Sequence, residues 1–86
     1  MENRYISVRE AVSERIIFLL KENGYKSVYE FAHKNGINYD TVRSVVGQQT
    51  TSGVNFATVI QIAHGFGMTI AEFTDDPIFH EDNLKF

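Results

Sequence analysis

The chain contains no cysteine. This absence excludes disulfide bonds, thiolate zinc sites and cysteine nucleophiles, and it fits a reducing compartment. Long hydrophobic runs are also missing, because the longest apolar stretch, IIFLL at 16–20, is far shorter than the ~20 residues that span a bilayer. Residues 1–15 carry charges of both signs and lack the apolar segment of a signal peptide. We therefore expect a cytoplasmic protein without membrane contact.

The sequence motifs of common enzymes are absent too. There is no G-x-S-x-G motif and no glycine-rich phosphate loop, and GFG at 65–67 follows no strand, so we interpret it as a helix terminus. The three histidines, His33, His64 and His80, are 31 and 16 residues apart. Without cysteine or a second ligand at i, i+4 spacing, they are better read as surface or hydrogen-bonded histidines than as metal ligands. We expect no enzyme activity, no metal and no cofactor.

Positive charge is scarce, since eight Lys and Arg oppose eleven Asp and Glu for a net charge of −3. The imbalance is local. Residues 1–71 hold seven basic and six acidic residues, whereas 72–86 hold five acidic residues against Lys85 alone. The acidity therefore belongs to the C-terminal end. With 86 residues, 43% hydrophobic and 22% charged, the chain is expected to form one small folded domain.

Helix start and stop signals are frequent. Ser7–Glu10, Ser27–Glu30 and Thr69–Glu72 all have the S/T-x-x-E form of a capping box, in which the hydroxyl accepts from the N3 amide and the glutamate accepts from the cap amide. Residues that tolerate a positive φ follow the apolar segments, at Asn23-Gly24, Asn35-Gly36, Gly47 and Gly65 to Gly67. Pro77 is expected to end the last helix.

These signals predict an all-α domain over residues 1–75, an acidic and apolar tail at 76–86, and a polar connection at 48–53. The five predicted helices lie at 7–23, 27–35, 39–46, 56–65 and 70–75. Two apolar stripes at helical spacing are expected to face the core. Their members are Val8, Val12, Ile16, Leu19 and Leu20 in one helix, and Phe56, Val59, Ile60, Ala63 and Phe66 in another.

The second and third predicted helices form a unit from Ser27 to Gly47. Ala32 is small enough for the two helices to cross closely, and Gly36 can adopt the backbone conformation of a sharp turn. Ile37, Val42 and Val45 are spaced to be buried beneath the pair, while Asn38 is expected to cap the third helix. We interpret Tyr5, Tyr25 and Tyr29 as packing residues rather than as platforms for stacked bases.

This unit, with the long helix before it and TVIQIAHGFGMTIAEF after it, resembles the Cro and phage-repressor type of helix-turn-helix domain, also called XRE-like or lambda-repressor-like. The resemblance covers about residues 7–75. It implies a compact five-helix domain in which the second and third helices form the helix-turn-helix and the third enters the major groove. Such proteins are usually dimeric transcriptional regulators of bacteria or phages, most simply repressors that occupy a near-palindromic operator.

The resemblance assigns base reading to Asn38, Tyr39, Asp40, Arg43 and Ser44. Arg43 is suited to a bidentate contact with guanine, Asn38 to adenine, and Asp40 to a cytosine amino group. Tyr39 is placed to touch a thymine methyl group or a phosphate. Asp40 has an equally good alternative role, because a carboxylate in the first turn stabilises the helix N-terminus.

Contacts to the DNA backbone are expected at the start of the second helix, in the polar connection and at the start of the fourth helix. The residues are Ser27, Val28, Gln48, Gln49, Thr50, Thr51, Ser52 and Asn55. Many members of the family carry Lys or Arg in this connection, whereas here the side chains are neutral. We therefore expect modest affinity with a shallow salt dependence, since each neutralised phosphate steepens the slope by about 0.9.

The tail combines acidic residues with four apolar ones, namely Ile78, Phe79, Leu84 and Phe86. Ile78 and Phe79 either fold back onto the domain or pair across a two-fold axis. We favour a homodimer formed through this region, with all four apolar residues as candidates for the contact. A second functional hypothesis is a protein-interaction module with a helix-turn-helix fold. Such a module would have weak or lost DNA binding and would act on a partner regulator through the acidic tail.

Overall fold

The computed structural model describes residues 6–47, 55–80, 82 and 84–85. Most of them are helical, which confirms the prediction of a mainly helical fold. The α-helices are α1 (Val8–Glu22), α2 (Val28–Asn35), α3 (Tyr39–Gly47), α4 (Phe56–Gly65) and α5 (Ile70–Thr74). A 3₁₀ helix (Pro77–Phe79) and two short strands, β1 (Ile6–Ser7) and β2 (Leu84–Lys85), are also present. Within these ranges, no helix is long and apolar enough to cross a membrane.

The predicted helix starts are confirmed, with each hydroxyl residue lying one position before its helix. The hydroxyls of Ser7, Ser27 and Thr69 accept hydrogen bonds from the amide three residues later, at 3.1, 3.0 and 3.1 Å. These residues have extended backbones and act as N-caps. At the other ends, α3 extends to Gly47 and α5 ends at Thr74, each one residue away from its predicted boundary.

The three capping boxes differ in their second hydrogen bond. Only Glu72 completes the box, by accepting from the amide of Thr69 at 2.9 Å. The carboxylate of Glu10 accepts instead from the hydroxyl of Ser7 at 3.3 Å, and that of Glu30 accepts from the amide of Lys26 at 2.9 Å. The sequence pattern therefore predicted where helices start but not every partner of the glutamate.

The core contains most of the predicted apolar stripes. Its buried members are Val12, Ile16, Leu19, Leu20, Phe31, Ala32, Ile37, Val42, Val59, Ile62, Ala63 and Phe73. Two predicted core residues are exposed, Val8 at 38% and Phe56 at 67%. Both are the first residue of their helix, where the Cα–Cβ bond tilts back towards the N-terminus and carries the side chain past the packed turns.

The C-terminal segment forms structure that the sequence patterns did not predict. Strand β2 pairs in parallel with β1, with Leu84 opposite Ile6. Within the 3₁₀ helix, Phe79 packs against the core and lies 6.0 Å from the ring of Phe73, centroid to centroid. Folding of Phe79 back onto the domain was one of the two expected alternatives. A strand pair of two residues is too short to show an alternating pattern in the sequence.

Two side chains of helix α1 donate hydrogen bonds to carbonyls near the C-terminal ends of α3 and α5. The hydroxyl of Ser13 donates to the carbonyl of Val46 in the last turn of α3 at 2.6 Å. The guanidinium of Arg15 donates to the carbonyls of Phe73 at 2.8 Å and Glu72 at 3.2 Å, near the end of α5. Both donors are buried. Helix-terminal carbonyls lack partners within their own helix, so these bonds fix the positions of α3 and α5 on α1.

Candidate functional site

The α2–α3 pair is built as the sequence predicted. Gly36 has φ of 65° and lies in the left-handed region, and the amide of Ile37 donates to the carbonyl of Ala32 at 2.9 Å. This geometry ends α2 and redirects the chain within three residues into α3. Ala32 and Val42 are completely buried between the helices and the core. The opposite side of α3 is consequently turned towards solvent.

Five side chains of this segment were predicted to read bases. Asn38, Tyr39, Asp40 and Arg43 are exposed, and Ser44 is half-buried. The helical period explains this arrangement, because burying Val42 leaves the intervening positions of α3 facing outward. Three of the five, Tyr39, Asp40 and Arg43, also contact one another on the exposed side of α3, whereas Asn38 lies just before the helix.

Asn38 caps α3, as expected. Its side-chain oxygen accepts from the amide of Thr41 at 3.1 Å and from the hydroxyl of Thr41 at 3.4 Å. Pairing with adenine through both amide atoms uses that same oxygen as an acceptor. Base reading of this kind would therefore require Asn38 to give up the cap, which is worth about 1 kcal/mol.

Asp40 and Arg43 form an ion pair one turn apart on α3, with 3.4 Å between Oδ1 and Nη2. Both side chains are well exposed, so the pair contributes little to stability. The guanidinium of Arg43 also lies 5.8 Å from the centroid of the Tyr39 ring, within the range of a cation–π contact. The pair holds Arg43 along the surface of α3 while leaving it accessible.

A continuous row of rings crosses from α2 to α3 next to this ion pair. We call it the aromatic row; it consists of His33, Tyr29 and Tyr39. Tyr29 stacks on His33 with centroids 5.8 Å apart, and it meets Tyr39 edge to face at 5.4 Å. Tyr29 is 58% exposed and Tyr39 is 39% exposed. Tyr29, interpreted from the sequence as a packing residue, therefore packs against two rings but at the surface rather than in the core, and its i, i+4 spacing to His33 already indicated a shared helix face. Tyr5 lies outside the described residues.

Among the residues predicted to contact phosphates, two act as helix caps and one packs against the core. The Ser27 hydroxyl is engaged as the cap of α2, and the Val28 side chain packs against the core, which leaves its amide as the group able to meet a phosphate. Asn55 caps α4 by accepting from the amide of Thr58 at 3.2 Å. The other predicted phosphate contacts fall outside the described residues: Gln48, Gln49, Thr50, Thr51 and Ser52.

The lysine of α2 and the arginine of α3 each lie beside a carboxylate of the same helix. Lys34 lies 4.0 Å from Glu30 and Arg43 lies 3.4 Å from Asp40. The Glu30 carboxylate also lies at the N-terminus of α2, where it accepts from the amide of Lys26. A phosphate approaching this terminus would meet that negative charge, which weakens the usual attraction of a helix N-terminus for anions.

The histidines do not form a metal site in the described part of the chain, where no three His, Asp or Glu side chains are grouped closely enough to hold a metal ion. His33 belongs to the aromatic row, and His64 and His80 are exposed.

Comparisons of this chain with protein-family models, with curated proteins and with solved structures find no match. The resemblance to phage-repressor domains therefore stays a prediction from the Ser27–Gly47 unit and from the segments before and after it. Within that unit, Ala32, Gly36 and Ile37 have the burial and backbone geometry that a close helix pair requires.

Proposed function

We propose that the protein is a sequence-specific regulator that binds double-stranded DNA, with α2 and α3 acting as a helix-turn-helix in a lambda-repressor-like domain. The observation that carries this proposal is the tight turn at Gly36 together with the exposed side chains of α3. A buried inner side and a polar, accessible outer side are what a helix needs to lie in a major groove about 12 Å wide.

Arg43 is the principal base-reading residue in this proposal. Its ion pair with Asp40 opens when the helix enters the groove, because the pair is exposed and weak. The guanidinium then donates two hydrogen bonds to guanine, and the Asp40 carboxylate accepts from the amino group of a nearby cytosine. A phosphate offers no partner for Asp40, so breaking the pair favours specific over non-specific complexes.

The regulator acts most simply as a repressor that occupies its operator as a homodimer. Two copies of α3 would then lie about 34 Å apart, one turn of DNA, on a near-palindromic site. The half-buried Ile78 and Leu84 remain candidates for the dimer contact, while Phe79 already packs within its own domain. Phe86, the fourth apolar residue of the tail, lies outside the described residues.

A protein-interaction module is the second candidate function. The observation that favours it is the pairing of Lys34 and Arg43 with carboxylates of their own helices, which leaves little positive charge for phosphates. Phe18, at 51% exposure, offers an apolar contact for a protein partner. The acidic tail is less available than its sequence implies, since Asp76 pairs with Arg15 at 3.2 Å.

A selection of bound duplexes from a random library tests the two candidates. We expect enrichment of two inverted half-sites about 10 base pairs apart, centre to centre. The Arg43→Ala variant should lose the guanine preference at one position of each half-site. Lys21→Ala, which removes the same charge from α1, serves as the matched control and should select the same site. A library that shows no enrichment with the wild-type protein would overturn the DNA-binding proposal.

A further inference from the structure

The aromatic row presents apolar ring surface beside the base-reading ion pair. The rings of Tyr29 and Tyr39 are inclined by 70° to each other, so they expose surface in two directions. Arg43 lies against Tyr39 from the same helix, and His33 stacks on Tyr29 from the other side. The rings therefore contact one another while part of their surface stays open to solvent.

An apolar protein surface in a major groove can contact one apolar group of the bases. Base edges there present donors and acceptors at every pair, and the only apolar group is the C5 methyl of thymine. The same methyl group occurs on 5-methylcytosine. Arg43 and Asp40 supply the polar contacts of the proposed interface, and the ring surface beside them adds apolar contact.

We propose that Tyr29 and Tyr39 read the C5 methyl group of a pyrimidine next to the guanine that Arg43 contacts. Tyr39 supplies the ring that touches the methyl group, while Tyr29 extends the contact surface onto α2 and holds the Tyr39 ring in place. This inference rests on the proposed function. It adds a residue of α2 to the reading surface and assigns Tyr39 to the methyl group rather than to a phosphate.

Deoxyuridine in place of thymine tests the proposal, because it removes the methyl group and leaves every hydrogen-bonding atom unchanged. The probe is the duplex obtained from the selection, with thymines replaced one at a time, and binding is measured by fluorescence anisotropy. We expect about a four-fold loss of affinity at the position next to the guanine, the factor for one buried methylene-sized group. Where a half-site carries cytosine there, 5-methylcytosine should restore the same factor.

Substitutions of Tyr29 and Tyr39 show which ring contacts the methyl group. Tyr39→Ala should bind the thymine and deoxyuridine duplexes equally, Tyr29→Ala should reduce the difference, and Tyr39→Phe should retain it because the ring surface is kept. Circular dichroism and thermal melting establish that each variant is folded; these exposed side chains should be dispensable for folding. Tyr25→Phe, which changes a tyrosine packed on Phe31 and Phe66, is the control.

The experiments distinguish failure of the methyl-reading inference from failure of the DNA-binding proposal. If the wild-type protein binds a selected duplex but deoxyuridine is tolerated at every thymine, the methyl-reading inference is overturned and the DNA-binding proposal stands. A loss with deoxyuridine that persists unchanged in Tyr39→Ala would also overturn it. If no duplex is enriched, both proposals are overturned together.

Discussion

The guanidinium of Arg15 binds the last turn of α5 and Asp76, two residues beyond the end of that helix. Nε donates to the carbonyl of Phe73 at 2.8 Å, and Nη1 lies 3.2 Å from the carboxylate of Asp76. A third bond, from Nη2, reaches the carbonyl of Glu72 at 3.2 Å. Arg15 is buried in α1, so a single side chain satisfies two terminal carbonyls and neutralises one acid of the C-terminal segment.

Replacing Arg15 by methionine should destabilise the fold strongly. The substitution keeps apolar volume but removes the donor to the buried carbonyl of Phe73, and an unsatisfied buried acceptor costs about 1–3 kcal/mol. The carbonyl of Glu72 loses one donor and keeps the amide of Asp75 at 3.2 Å. We expect a loss of about 2–3 kcal/mol in the free energy of unfolding, measured by urea denaturation. Lys21→Met, at an exposed position of the same helix, is the control, and an equally large effect there would contradict this role of Arg15.

Ser13→Ala should loosen the end of α3. The substitution removes the hydrogen bond of 2.6 Å that the buried hydroxyl of Ser13 donates to the carbonyl of Val46. We expect about 1–3 kcal/mol of destabilisation, together with faster hydrogen exchange of amides in the last turn of α3. Exchange in α5 should change only as much as the global stability requires. Uniform acceleration across all helices would show that Ser13 has no local role at α3.

Gly65→Ala should be destabilising although the residue lies in a helix, where alanine is normally favoured over glycine. A Cβ atom at this position would lie 2.8 Å from the ring of Phe31, closer than atoms pack. We expect about 1–3 kcal/mol of destabilisation from overpacking, measured by thermal or urea denaturation. Adding Phe31→Leu should recover part of this loss, relative to Phe31→Leu alone. A fully additive double variant would show that the close contact is not the cause.

Arg43→Ala should lower the affinity for the selected operator by about 1–3 kcal/mol, as expected for a base-reading arginine. Asp40→Asn should raise the affinity for random DNA, because it frees Arg43 to contact any phosphate. The ratio of operator to random affinity should therefore fall in both variants. Titrations of operator and scrambled duplexes at one salt concentration measure both ratios. Stronger discrimination in Asp40→Asn would exclude the proposed role of the ion pair.

Operator binding should depend weakly on salt. The described cations of α2 and α3 are paired, and each released counterion adds only about 0.9 to the slope of log affinity against log salt. We expect a slope clearly shallower than about −8. Glu30→Gln should raise affinity most at low salt, because it removes a negative charge from the N-terminus of α2, whereas Glu22→Gln at the end of α1 should not. A slope of about −8 or steeper in the wild-type protein would show that the interface carries more cations than this surface supplies.

The parts of the candidate site that follow from helical period could be predicted from sequence. Asp40 and Arg43 were expected on the outer side of α3, and both are exposed because Val42 is buried. The pairing of Asp40 with Arg43 and the exposure of Tyr29 were not predicted. The ion pair follows from the i, i+3 spacing within α3 and was readable from the sequence. The exposure of Tyr29, by contrast, depends on how α2 and α3 cross, and a crossing is not encoded in the spacing of either helix alone.

Local chemistry determined the helices. Caps and turn glycines act within about four residues along the chain, so Ser7, Ser27 and Thr69 marked helix starts and Gly36 marked the turn without knowledge of the fold. Tertiary structure alone decided which distant residues meet. Arg15 and Phe73 are 58 residues apart, and β1 pairs with β2 across nearly the whole chain. Such contacts form only when the packed core has brought the segments together, and for that reason no local sequence pattern predicts them.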